Sequence, residues 1–136
     1  MLELETIDGS NWQDFLSSPV PTFFMLGKTD CPACEKWTAE LTDWLNGDAA
    51  GKYKGHVRFG KLLLGTPGLT EFKRTHTPWL KDVLALPFNS IWLNGQQVKS
   101  WDGNNVDRLT SRLDNVLLAH VTAGNWQALA KDPSSV

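Results

Sequence analysis

A chain of 136 residues can enclose a core of its own, and an apolar fraction of 41% is ordinary for a soluble globular protein. A formal net charge of −2 leaves no basic footprint for nucleic acid and no strong acidic field. With two cysteines no disulfide framework is available, and no apolar run approaches a membrane span.

Leu2 to Ile7 alternates apolar and polar residues, which predicts a short strand. Ser10-Asn11-Trp12-Gln13 has the form of a capping box, and Trp12, Phe15 and Leu16 make one helical face, ended by Pro19 and Pro21. Phe23 to Leu26 is an apolar strand closed by Gly27. Cys31-Pro32-Ala33-Cys34 follows, opening a helix with Trp37, Leu41, Trp44 and Leu45 at helical spacing and Asn46-Gly47 as its stop. Pro32 suits the first helical position, where its missing N–H would be unpaired anyway.

Residues 47–56 read as a polar, Gly-rich loop and Val57 to Leu64 as a strand. Thr66-Pro67 is expected to open a short helix with Leu69 and Phe72. Thr75 to Leu86 reads as irregular, broken by Thr77-Pro78, with one amphipathic turn from Trp79, Leu80, Val83 and Leu84. Two strands then flank Asn94-Gly95, a strong hairpin signal. A final helix begins near Asn104 or Asn105, with Val106, Leu109, Leu113, Val116 and Leu117 as its apolar stripe. Trp126 and Leu129 suggest one more short helix, and the last six residues a frayed end. Alternating strands and helices closed by a hairpin imply an α/β fold with a mixed sheet and helices on both faces. One domain over residues 1–136 is expected, with a short extension from about 121.

The chemistry gathers at the two thiols. The thiolate is the reactive form of cysteine, and a helix N-terminus favours it through unpaired N–H groups and the macrodipole. Cys31 sits at that end and Cys34 lies one turn inside, near enough to close a disulfide. Such a pair suits a two-step cycle in which Cys31 would attack a partner's disulfide and Cys34 would then attack Cys31 and release the reduced partner. Zinc needs about four ligands, and His56, His76 and His120 have no paired spacing with the cysteines, so no metal is expected.

With these residues in place the chain resembles the thioredoxin-like family over most of residues 1–120. The resemblance rests on the strand–CPAC–helix unit, on KLLLGTPG from Lys61 to Gly68, and on Leu86-Pro87 seven residues before Asn94-Gly95. It implies a three-layer α/β/α sandwich with a mixed central sheet. It implies a cis Pro87 beside the thiols, with Leu86 pairing to an extended substrate segment. Lys61 matches the lysine that accompanies the family's buried acid. The departures are specific. Asp30 stands where thioredoxins carry tryptophan, Met25 where they carry a buried acid, and Ala39 where their helix has a proline. The Pro32-Ala33 pair puts proline in the slot glutaredoxins use.

The resemblance implies a thiol–disulfide oxidoreductase acting on protein disulfides, with electrons from a reductase or from glutathione and no bound cofactor. Cys31 and Cys34 carry the exchange, Leu86 and Pro87 dock substrate, and Asp30, Pro32 and Lys61 support the site. The departures feed a second reading, a binding or scaffold module without turnover. The opening MLELETIDGS has neither the basic region nor the apolar run of a signal peptide. A monomer in the reducing cytoplasm, binding neither nucleic acid nor membrane, is the expectation.

Overall fold

A computed structural model describes residues 2–122. In chain order the elements are β1 (Leu4–Ile7), α1 (Trp12–Leu16), β2 (Thr22–Gly27), α2 (Pro32–Leu45), β3 (Arg58–Leu63), α3 (Thr70–Leu80), β4 (Phe88–Leu93), β5 (Gln96–Asp102) and α4 (Val106–Thr122). The strands form one sheet in the order β1-β3-β2-β4-β5. β3 runs parallel to β1 and β2, while β4 is antiparallel to both β2 and β5. The sheet is therefore mixed, as expected. The chain divides into two compact units after Asn104, the first holding the whole sheet and α1 to α3.

β2 is central, and all six of its residues are buried. Alternation sends Phe24 and Leu26 to one face and Phe23 and Met25 to the other. On the first face Phe24 meets Phe15 of α1 and Phe72 of α3, with ring centroids 5.9 Å apart in each case. Ile7, Leu62, Leu69 and Trp92 complete that core. On the second face Phe23 packs on Phe59, which meets Trp44 of α2 at 5.7 Å. Each fully buried side chain of this size contributes about 1.5–3 kcal/mol. Gly60 permits the close approach of α1: a Cβ there would lie 2.6 Å from Phe15 Cζ.

Four expectations need correction. Ser10 and Gln13 do not form a capping box: Asn11 is the N-cap, and no side chain caps α1. Ser10 instead donates its hydroxyl and its N–H to Asp8 Oδ1, and these bonds hold the Asp8 carboxyl below its ordinary range. The expected loop after α2 contains a 3-10 turn, Asp48–Tyr53. Tyr53 is buried against Trp44 and Phe59, and that apolar anchor orders a polar segment. α3 starts at Thr70, later than Thr66-Pro67 suggests, with Leu69 at its N-cap. It also continues through Thr77-Pro78. Pro78 removes one helical bond, but Thr77 Oγ1 donates to Lys73 O and Trp79 packs on His76, Phe88 and Trp92. Packing outweighs the local break.

The hairpin is as expected: Asn94 and Gly95 have φ of 50° and 82°, the left-handed pair of a two-residue turn. α4, in the second unit, has Asn105 Oδ1 accepting from Arg108 N–H, and Leu109, Leu113, Val116 and Leu117 are buried along it. The short helix expected at Trp126 and Leu129 lies outside the described residues.

Candidate active site: the Cys31–Cys34 pair

β2 ends at Gly27, directly beneath the second thiol position: a Cβ on Gly27 would lie 3.3 Å from Cys34 Cβ and 3.4 Å from its Sγ. The chain then turns through Asp30, whose φ of 56° is left-handed. Aspartate tolerates that region because its short polar side chain bonds locally. The turn delivers Cys31 in extended conformation as the N-cap of α2, with Pro32 at the first helical position.

Cys31 and Cys34 are joined in a disulfide, with Cα atoms 5.2 Å apart. Cys31 Sγ accepts the Cys34 N–H at 3.2 Å, and Cys31 O accepts the Glu35 N–H at 3.0 Å. The first sulfur thus takes the place of a capping oxygen, where negative charge is favoured. The two differ in access: Cys31 is 8% exposed and Cys34 2%.

The Leu86–Pro87 peptide is cis and Pro87 is buried. The Val83 N–H bonds Leu80 O, and Pro87 O accepts from Gly103 N–H. Leu86 lies on the intervening stretch and borders a groove of about 810 Å³ that also exposes Cys31, Pro32 and Asp30. The structure therefore gathers Asp30, Cys31, Pro32 and Leu86 along one groove.

A second, smaller cavity of about 400 Å³ reaches Cys34 from the α2 side and is lined by Lys61, Thr38, Glu35 and Asp30. Lys61 is half-buried and lines this cavity. Its register partner on β2 is Met25, fully buried, whose Sδ lies 3.9 Å from Thr38 Oγ1. Lys61 thus has a thioether for its cross-strand neighbour. Trp79 does not border either cavity and packs in the aromatic cluster instead.

Two supporting residues escape sequence reasoning. Trp37, one turn after Cys34, donates its Nε1–H to Asn89 Oδ1 at 2.8 Å. Asn89 Nδ2 donates to Gly103 O at 2.9 Å. Asn89 is fully buried and a buried amide needs partners, but its burial shows only in the structure; the sequence offers no more than an asparagine two residues after Pro87.

A five-stranded mixed sheet with a Cys-x-x-Cys turn opening the helix after its central strand, and a cis proline leading into the antiparallel hairpin, is the thioredoxin fold. Among solved structures the chain is similar to the thioredoxin of Malassezia sympodialis, with a TM-score of 0.65 and 13% identity over 85% of this chain and 91% of that one. It is also similar to thioredoxin O2 of Arabidopsis thaliana in the oxidized state, with a TM-score of 0.62 and 18% identity over 82% and 92%. The thioredoxin of Trypanosoma brucei brucei has a TM-score of 0.63 and 16% identity over 84% and 90%. No family model and no curated protein sequence matches the chain.

Proposed function

We propose that this protein is a thiol–disulfide oxidoreductase that reduces protein disulfides. The observation that carries the reading is the unequal pair: a bonded Cys31–Cys34, with Cys31 at the helix cap beside a groove and Cys34 behind it. In the dithiol form the Cys31 thiolate attacks one sulfur of a client disulfide. The client's second sulfur leaves as a thiolate and takes a proton. Cys34, deprotonated, then attacks Cys31 Sγ, closing the ring and expelling the client's first sulfur as its thiolate. The client gains two electrons and the pair loses two.

Leu86 and Pro87 hold the client segment at the groove, with Leu86 offering backbone groups for pairing. Lys61 faces the cavity at Cys34 and stabilises the thiolate that forms there. A reductase or glutathione restores the dithiol. The reading places a monomer in a reducing cytoplasm. Among the described residues no helix is long and apolar enough to cross a membrane.

The test is a Cys34→Ser variant, which should accumulate client proteins in mixed disulfide with Cys31. Recovery of no Cys31-linked adduct would remove this mechanism. Met25, in place of an acid beside Lys61, favours a second reading as a binding module on the same fold. That reading requires a Cys31→Ser, Cys34→Ser double variant to keep its biological role, and loss of the role in a folded double variant ends it.

A further inference from the structure

The groove beside Cys31 carries an unusual balance of charge. Its lining includes Lys28, Lys73 and Lys81 and one carboxylate, Asp30. The chain as a whole is negative, at −2. All three lysines are exposed, and no ion pair engages their ammonium groups among the described residues. They come from different places: Lys28 precedes the Cys-x-x-Cys turn, Lys73 lies on α3, and Lys81 follows its last residue. The fold thus collects positive charge around the reactive sulfur.

Between the lysines the wall is apolar. Leu80, Leu84 and Leu86 line it, and Leu84 is 94% exposed. An apolar side chain held in water on a groove rim is surface that burial would stabilise. Flexible ammonium groups on the flanks steer and orient an oppositely charged partner rather than bind it tightly by themselves.

We propose that this groove selects client disulfides in acidic extended segments, with Glu or Asp residues flanking the reacting cysteine and an apolar side chain seated against Leu84. The proposal rests on Cys31 being the nucleophile. Lys73 and Lys81 determine specificity and take no part in electron transfer. Lys28 shares that role, with Asp30 beside it as the opposing charge.

The test uses the full chain in its dithiol form and three peptides. Each holds one cysteine in a mixed disulfide with neutral 2-mercaptoethanol, next to a leucine. The flanking positions are Glu in one, Gln in the second and Lys in the third. Single-turnover rates of attack should rank Glu above Gln above Lys, with the two ends differing by about tenfold at low ionic strength. High salt should compress the ranking. In a Lys73→Glu, Lys81→Glu variant the Glu-to-Lys ratio should invert, each rate being read against the Gln peptide in the same protein.

Equal rates for the three peptides, or a ranking that survives charge reversal, overturns the proposal. So does concentration-dependent self-association lost in the reversed variant, which would mark a second copy of this chain as the occupant. If even the Gln peptide is not reduced, the oxidoreductase reading itself fails. Reduction of all three without preference removes only the selectivity.

Discussion

The indole of Trp37 and the side-chain amide of Asn89 meet at 2.8 Å, 52 residues apart in sequence, and tie the redox helix to the strand that follows Pro87. The same amide donates to Gly103 O, and Gly103 N–H returns to Pro87 O. One buried asparagine therefore links the helix that bears Cys34 to the stretch around Pro87. Asn89→Ala leaves the Trp37 N–H and the Gly103 carbonyl without this partner. It should cost about 1–3 kcal/mol in urea unfolding. It should also slow client reduction more than reduction of a small neutral disulfide, because in the proposed docking only the client spans α2 and the Pro87 stretch.

Asp30 sets a negative charge beside Cys31 from a left-handed backbone position. Asparagine tolerates that conformation equally well, so Asp30→Asn removes charge without disturbing the turn. The Cys31 thiolate should become easier to form, and iodoacetamide alkylation of the dithiol at neutral pH should quicken roughly two- to threefold. An unchanged rate would mean that solvent screens Asp30 from the sulfur.

Met25 and Lys61 are register partners across β2 and β3, and Lys61 lines the Cys34 cavity. Met25→Asp would place a carboxylate opposite Lys61. Burying it beside one ammonium group should cost roughly 2–5 kcal/mol of stability. The mixed disulfide should nevertheless resolve faster, since the carboxylate can take the Cys34 proton. Stopped-flow release of the client reads the gain, and the urea midpoint reads the loss.

His76 sits among Trp12, Phe72, Trp79 and Trp92, with Trp79 Nε1–H donating to its Nδ1 at 3.1 Å. Burial holds it below its ordinary value of 6.5. The unfolded chain then takes up the proton at higher pH than the folded one. The stabilisation is whole above about 6.5 and is lost as pH falls through the folded value. Protonation also sets two donors face to face at Nδ1. The melting temperature should fall on acidification over this range, and His76→Phe should flatten the slope.

Local chemistry made the redox centre legible in the chain. A strand, two cysteines, Pro32 and an amphipathic helix lie within about 25 consecutive residues. The hairpin was legible for the same reason, since Asn94-Gly95 specifies its own turn. Legibility fails where distant packing decides. Pro78 reads as a helix break until Trp79 finds Phe88 and Trp92. Tyr53 reads as loop until it meets Trp44 and Phe59. The lysines around the groove are ordinary surface residues in sequence, and only the fold brings them to one edge.

The unequal exposure of the two sulfurs also bears on survival under peroxide. A cysteine oxidised to sulfenic acid can be driven on to sulfinic and sulfonic acids, which thiols do not reverse. Here the more accessible sulfur, Cys31, is the one peroxide reaches first. Cys34 stands behind it with its Cα 5.2 Å away. A sulfenic acid on Cys31 can condense with that thiol, expelling water and closing the Cys31–Cys34 disulfide. In the proposed cycle that ring is a normal intermediate, which a reductant reopens.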